Sequence, residues 1–201
     1  MRWMRNWWSS VPAARPFLRH ALLGSTAARL LRKTARRPVL VVKQAPHEDY
    51  RCVLVAVDFS PASLLSIAAA RRLAPDAELV LLHAFELPYE GKLTLAGVDD
   101  ALVRRYLSTE AERCRRRMLE LATAAGLDPG SCTARVVHGD PAQQTSALEQ
   151  EVDADLIVVG KHGSHIAEEL LLGSVTKHVL AESQGDVLVI GDPHPAHDAA
   201  P

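Results

Sequence analysis

The run "ADLIVVG" (154–160) is apolar at every central position, and a strand of that kind is stable only when other elements cover both of its faces. Four further runs have strand length: "RCVLVAVD" (51–58), "AELVLLHAF" (77–85), "TARVVHGD" (133–140) and "DVLVIG" (186–191). Stretches with helical spacing stand between them. "PASLLSIAAARRL" (61–73) follows Ser60, an expected N-cap, and carries Pro61 at the first helical position. A long amphipathic stretch from Asp99 to Ala125 places Val103, Tyr106, Leu107, Cys114, Met118 and Leu121 near one face, and Gly126 stops it. Asp140 and Pro141 open a helix over "AQQTSALEQEV", where Asp140 reads as a cap, and "SVTKHVLAES" forms another that Gly185 closes. Strands alternating with helices predict an α/β fold, a doubly wound parallel sheet of five strands.

Composition narrows the function classes. The longest apolar runs are far shorter than the roughly 20 residues that span a bilayer, so the expected protein is soluble. Cys52, Cys114 and Cys132 are odd in number and far apart, which suits neither a disulfide framework nor a zinc site and points to a reducing cytoplasm. The net charge of −1 conceals a break. Residues 1–46 carry eight arginines, Lys33 and Lys43 and no acid, whereas 47–201 hold thirteen basic and 24 acidic residues, a balance of −11. A body so acidic lacks the basic face of a nucleic-acid binder.

The basic segment repeats the end of the chain. "LLGSTAARLLRKTARRPVLVV" (22–42) aligns with "LLGSVTKHVLAESQGDVLVI" (171–190). Leu22, Leu23, Gly24, Ser25 and Leu31 match Leu171, Leu172, Gly173, Ser174 and Leu180; after a one-residue slip Val39, Leu40 and Val41 match Val187, Leu188 and Val189. The chain therefore divides into a basic segment (1–46) holding the last helix and strand of a second copy, a domain over 47–192, and a tail (193–201) expected to be disordered. Residues 1–15 read as lead-in; a transit peptide, or an arm touching membrane or nucleic acid, is the alternative.

Candidate chemistry concentrates in "VVGKHGSHIAEELLLGSV" (158–175). Gly160 ends the fourth predicted strand and Asp58 ends the first. In an open parallel sheet a ligand lies beyond the carboxyl ends of the strands, where their order reverses. Gly160 and Gly163 let a phosphate approach backbone N–H groups, while Gly173 and Ser174 open a helix whose first N–H groups and dipole favour an anion. Turn punctuation is the competing account of the same glycines.

These residues, with "VDFSPAS" after the first strand and "VVHGDP" after the third, resemble the ATP-binding branch of the universal stress protein family over about residues 50–192. The resemblance implies a Rossmann-like sheet of the adenine nucleotide alpha hydrolase type, strand order 3-2-1-4-5, with ATP between the first and fourth strands. It implies that Val57 and Asp58 meet adenosine, that Ala84 lines the adenine pocket, and that Val159, Gly160, Gly163, Gly173, Ser174 and Val175 surround ribose and phosphates. Mg²⁺ would arrive on the phosphates. Tandem members pack two copies through their last strands, so Val39–Val42 is expected to pair with Val187–Ile190 or with a second chain, as a pseudo-dimer or homodimer. The upstream repeat has Ala14 and Val11 where the cradle glycines would stand, leaving one competent site.

The remaining candidates are weaker. His162 and His165 lack a third ligand for a metal, Lys161 reads as solvated, Glu168 and Glu169 must point away from phosphate, and His83 reads as a sheet residue. No P-loop, serine elbow or cysteine–histidine motif is present. The expected function is an ATP-dependent stress-response switch with little or no turnover and no catalytic residues. A nucleotide-free dimerising module and a slow ATPase are the alternatives.

Overall fold

The computed structural model describes residues 31, 37–43, 49–87, 99–128, 130–161 and 172–191. Its elements in chain order are β1 (Val39–Val41), β2 (Cys52–Ala56), α1 (Pro61–Leu73), β3 (Glu78–Phe85), α2 (Asp100–Ala124), β4 (Thr133–His138), α3 (Pro141–Glu151), β5 (Leu156–Gly160), α4 (Ser174–Glu182) and β6 (Asp186–Ile190). The arginine-rich start, the Leu22–Ser25 repeat and the tail lie outside the described residues.

One sheet runs β1-β6-β5-β2-β3-β4. It has six strands, not the five of a wholly parallel sheet, because β1 joins antiparallel to β6 while the other pairs are parallel. Side chains alternate between the faces, as the two-residue strand period requires. Val53, Val55, Leu79, Leu81, Leu156 and Val158 face α1 and α2, where they meet Ile67 and Met118. Leu54, Val80, Leu82, Ile157 and Val159 face the opposite layer with Leu148, Val179 and Leu180. Their near-continuous apolar sequences are thus explained by burial on both sides.

The helix starts follow the local sequence. Asp140 accepts a hydrogen bond from the Gln143 amide at 2.9 Å, with Pro141 next in the chain, and Asp99 caps α2 through the Ala101 amide. Helix α2 differs from the expected face. Cys114, Met118 and Ala122 are its buried residues, whereas Tyr106 is 53 % exposed. At 1.5 Å per residue a helix of this length measures about 37 Å, more than the roughly 17–27 Å of the strands beneath it, so its first turns overhang the core.

One buried carboxylate and one close backbone approach fix the turn from α4 into β6. The Glu149 carboxylate, on α3, accepts hydrogen bonds from the Gln184 and Gly185 amides at 2.8 and 3.0 Å. Gly185 passes so close to the start of β5 that a Cβ there would stand 2.8 Å from the Ala154 carbonyl oxygen and 2.9 Å from that of Asp155. Backbone cannot yield as a flexible side chain would. Gly185→Ala is expected to lower unfolding free energy by about 1–3 kcal/mol, the usual cost of overpacking, read as an earlier urea midpoint at unchanged m-value.

Candidate functional site

Strand β2 lies between β3 and β5, and the chain turns outward to β3 and β4 before crossing back to β5. The strand order therefore reverses between β2 and β5, the position at which ligands enter such sheets. A cavity of about 380 Å³ opens there. Among the described residues, Val57, Asp58, Ala84, Val159, Gly160, Gly173, Ser174 and Val175 all line it. Gly163 lies outside the described residues, as do His162, His165, Glu168 and Glu169.

The Asp58 carboxylate has two different environments. Oδ1 accepts from the Ser60 amide at 2.9 Å, the Ser60 hydroxyl at 2.6 Å and the Ser63 hydroxyl at 2.8 Å. Ser60 occupies the N-cap position of α1 but its side chain makes no capping bond; Asp58 organises the turn instead. Oδ2 is buried and has no hydrogen-bond partner among the described residues. A buried carboxylate oxygen left unmatched is costly, and this one belongs to a residue of the cavity wall. Such an oxygen calls for a ligand that donates a hydrogen bond.

Across the cavity stands the start of α4. Gly173 occupies its N-cap position, and no side chain caps the helix. The Gly173 amide is already committed to the Lys161 carbonyl at 2.9 Å, so the N–H groups offered to an anion begin with Ser174. The Thr176 hydroxyl donates to the Gly160 carbonyl at 2.6 Å, tying the end of β5 to this helix. Lys161 is not solvated as its loop position suggested: it is only 1 % exposed, and its amide donates to the Ile190 carbonyl at 2.7 Å.

The third wall comes from β3. His83 Nδ1 lies 2.7 Å from the Val57 carbonyl oxygen; that oxygen can only accept, so Nδ1 carries the hydrogen. Phe59 packs against the imidazole with ring centres 4.3 Å apart and planes tilted by 46°, and the Arg117 guanidinium lies 4.1 Å over the phenyl ring. Phe59 has a φ of 61°, a left-handed conformation that is costly for a bulky side chain and that these contacts hold. Sequence reading missed Ser63, Ser66, Pro141, Thr145 and Thr176 in the lining. The signal was there in part: polar residues on otherwise apolar helix faces.

Burial pushes the His83 pKa below its ordinary value, with the Arg117 charge acting the same way; the bond to Val57 and the charges of Asp58 and Glu110 pull upward. A folded-state pKa below the unfolded value contributes stability that is present above about pH 6.5 and is lost as pH falls through the folded pKa. In urea titrations at pH 7.5 and 5.0 the native chain should therefore lose more stability on acidification than His83→Gln. Equal losses in the two chains would assign the acid sensitivity to other groups.

Comparisons with known proteins identify the family and the fold. The sequence profile of the Universal stress protein family matches residues 49–191. Universal stress protein A homolog 2 of Coxiella burnetii is 36 % identical over 151 residues, covering 71 % of this chain and 96 % of its own. A universal stress protein of Mycobacterium tuberculosis is 32 % identical over 188 residues, covering 88 % of this chain; the alignment spans 59 % of that longer relative. Among solved structures, the universal stress protein UspA from Lactobacillus plantarum superposes with a TM-score of 0.58 at 23 % identity, over 72 % of this chain and 99 % of that one. A putative universal stress protein from Pseudomonas aeruginosa gives 0.61 at 23 % identity, over 86 % and 58 % respectively. With the profile spanning the sheet from β2 to β6, the chain belongs to the universal stress protein family.

Proposed function

We propose that the cavity binds ATP and that the protein acts as a nucleotide-dependent stress-response switch with little or no turnover. The observation that carries this reading is Asp58 Oδ2, buried and unmatched among the described residues, on the wall opposite a helix start that no side chain caps. A nucleotide satisfies both features. Its sugar or base supplies a hydrogen-bond donor to Asp58, and its phosphates supply negative charge to the N–H groups of Ser174 and Val175.

In this reading Val57 and Ala84 enclose the base, and Val159 and Gly160 pass beside the ribose. Gly163, by its spacing in the sequence, allows the phosphates close to the backbone. Gly173, Ser174 and Val175 take their charge, with Mg²⁺ carried in on the phosphates. No residue is assigned a chemical step. The three cysteines are free thiols, which suits the cytoplasm.

We also read the domain as residues 47–192 and residues 17–44 as the closing helix and strand of a second copy. The 88 % and 86 % coverages of this chain by longer relatives, against 71 % by one whose own length is 96 % covered, support that division. Pairing of these last strands makes the chain a pseudo-dimer.

Calorimetric titration of ATP with Mg²⁺ into the purified chain tests the reading. Binding is expected, and Asp58→Ala should weaken it at least about tenfold, since a hydrogen bond to a charged group is worth about 1.5–3 kcal/mol. Absence of binding by the natively folded chain would overturn the proposal in favour of a nucleotide-free interaction module.

A further inference from the structure

The balance of −11 over residues 47–201 conceals a separation of charge within the fold. Helices α1 and α2 carry eight arginines and four acids, whereas everything else between 47 and 201 carries five basic residues and 20 acids. Both helices pack into one apolar cluster on the same side of the sheet. The Arg71 guanidinium, on α1, donates to the Gly126 carbonyl just past the end of α2 at 2.8 Å and ties them together. A basic layer is thus set against an acidic remainder, a distribution that bears on partners rather than on folding.

Spacing on α2 sharpens the pattern. At 3.6 residues per turn, Leu102, Arg105, Tyr106, Thr109, Arg113 and Arg116 share one stripe, on the side opposite the buried Cys114, Met118 and Ala122, and all six are exposed. Leu102 is 60 % exposed and, like Tyr106, belongs to the turns that overhang the core. Helix α1 adds Leu64 and Leu65 to the exposed apolar side chains of this layer. Arg113 pairs with Glu110 and Arg115 with Glu112. Arg104, Arg105 and Arg116 meet no carboxylate among the described residues. The face presents guanidinium groups without counter-charges, interleaved with apolar side chains that the fold leaves outside.

We infer that the outer face of α1 and α2 docks on a bilayer surface of anionic phospholipid. Charge selects the class of partner and the orientation: anionic headgroups attract the arginines of this layer and repel the acidic remainder. The interleaved apolar side chains select within that class. Leucine and tyrosine gain by entering the boundary between headgroups and acyl chains, where arginine stems lie flat with their charges outward. A nucleic-acid backbone offers those leucines nothing apolar to bury against. The inference uses neither the cavity nor its ligand and stands apart from the reading of ATP binding.

Flotation of the full chain, without nucleotide, with vesicles of phosphatidylcholine alone or mixed equally with phosphatidylglycerol provides the test. Binding is expected to the mixed vesicles only, and is expected to vanish at about 1 M salt, where the Debye length falls to about 3 Å. Arg105→Gln with Arg116→Gln should lower the partition coefficient at least about tenfold, and Leu102→Ser with Tyr106→Ser should lower it with every charge intact. Arg135→Gln with Lys177→Gln removes two charges from the other layer, where Arg135 pairs with Glu151 of α3 and Lys177 lies on α4; this variant should bind as the native chain does. All six substituted side chains are exposed, so native circular dichroism is expected throughout. Failure of the native chain to bind the mixed vesicles would overturn the inference. Unchanged binding by the Arg105 and Arg116 variant would also overturn it, moving the attraction to the basic segment 1–46, and equal weakening by the Arg135 and Lys177 variant would reduce it to net charge. Duplex DNA that strips the chain from the vesicles at matched phosphate concentration would replace it with a nucleic-acid face.

Discussion

Everything in this molecule follows from a sheet whose central strands are buried on both faces. Residues such as Val53, Leu54, Val55, Ile157 and Val158 are shielded completely by helices in two layers, and each strand's backbone groups are spent on its neighbours. Such a sheet has no free surface to carry chemistry. What remains are its rims: the carboxyl ends of the strands, where the chain must leave the ladder and turn, and the outer edges, where one row of backbone groups lacks a partner. The candidate site uses the first kind of rim and β1 covers one of the second.

At the carboxyl rim, polar groups that serve the fold and polar groups turned toward the cavity are parts of the same residues. One oxygen of Asp58 gathers the donors of the β2–α1 turn while the other stays unmatched. The Gly173 amide closes onto the Lys161 carbonyl, so the helix is anchored before its free N–H groups begin. His83 holds the Val57 carbonyl and packs against Phe59, whose ring Arg117 covers. A group held this firmly loses little freedom on meeting a ligand, which is the physical content of preorganisation.

The elements were legible because double burial leaves an unmistakable apolar run and because capping residues mark where helices begin. Asp140 caps as its sequence context implies, whereas Ser60, read the same way, makes no capping bond. The Asp58 and glycine positions could be found because strand ends can be counted. What could not be read was anything set by contacts between distant segments. Burial of Lys161 depends on how β5, β6 and α4 meet, and the overhang of α2 on the length of strands it packs against. Ser66 and Thr145 sit in the cavity lining although each spends its hydroxyl on its own helix, on Ala62 and Pro141 respectively. Of Asp58, sequence could give the position beside the ligand crevice; only the structure separates its two oxygens.

The antiparallel register between β1 and β6 also ties together positions that sequence keeps far apart. Leu40 and Leu188 lie 148 residues from each other yet occupy one packing space, each filling the gap left by its own counterpart. A change of size or branching at one is felt at once by the other. Their sizes are therefore set together, by a contact that exists only once the chain has folded.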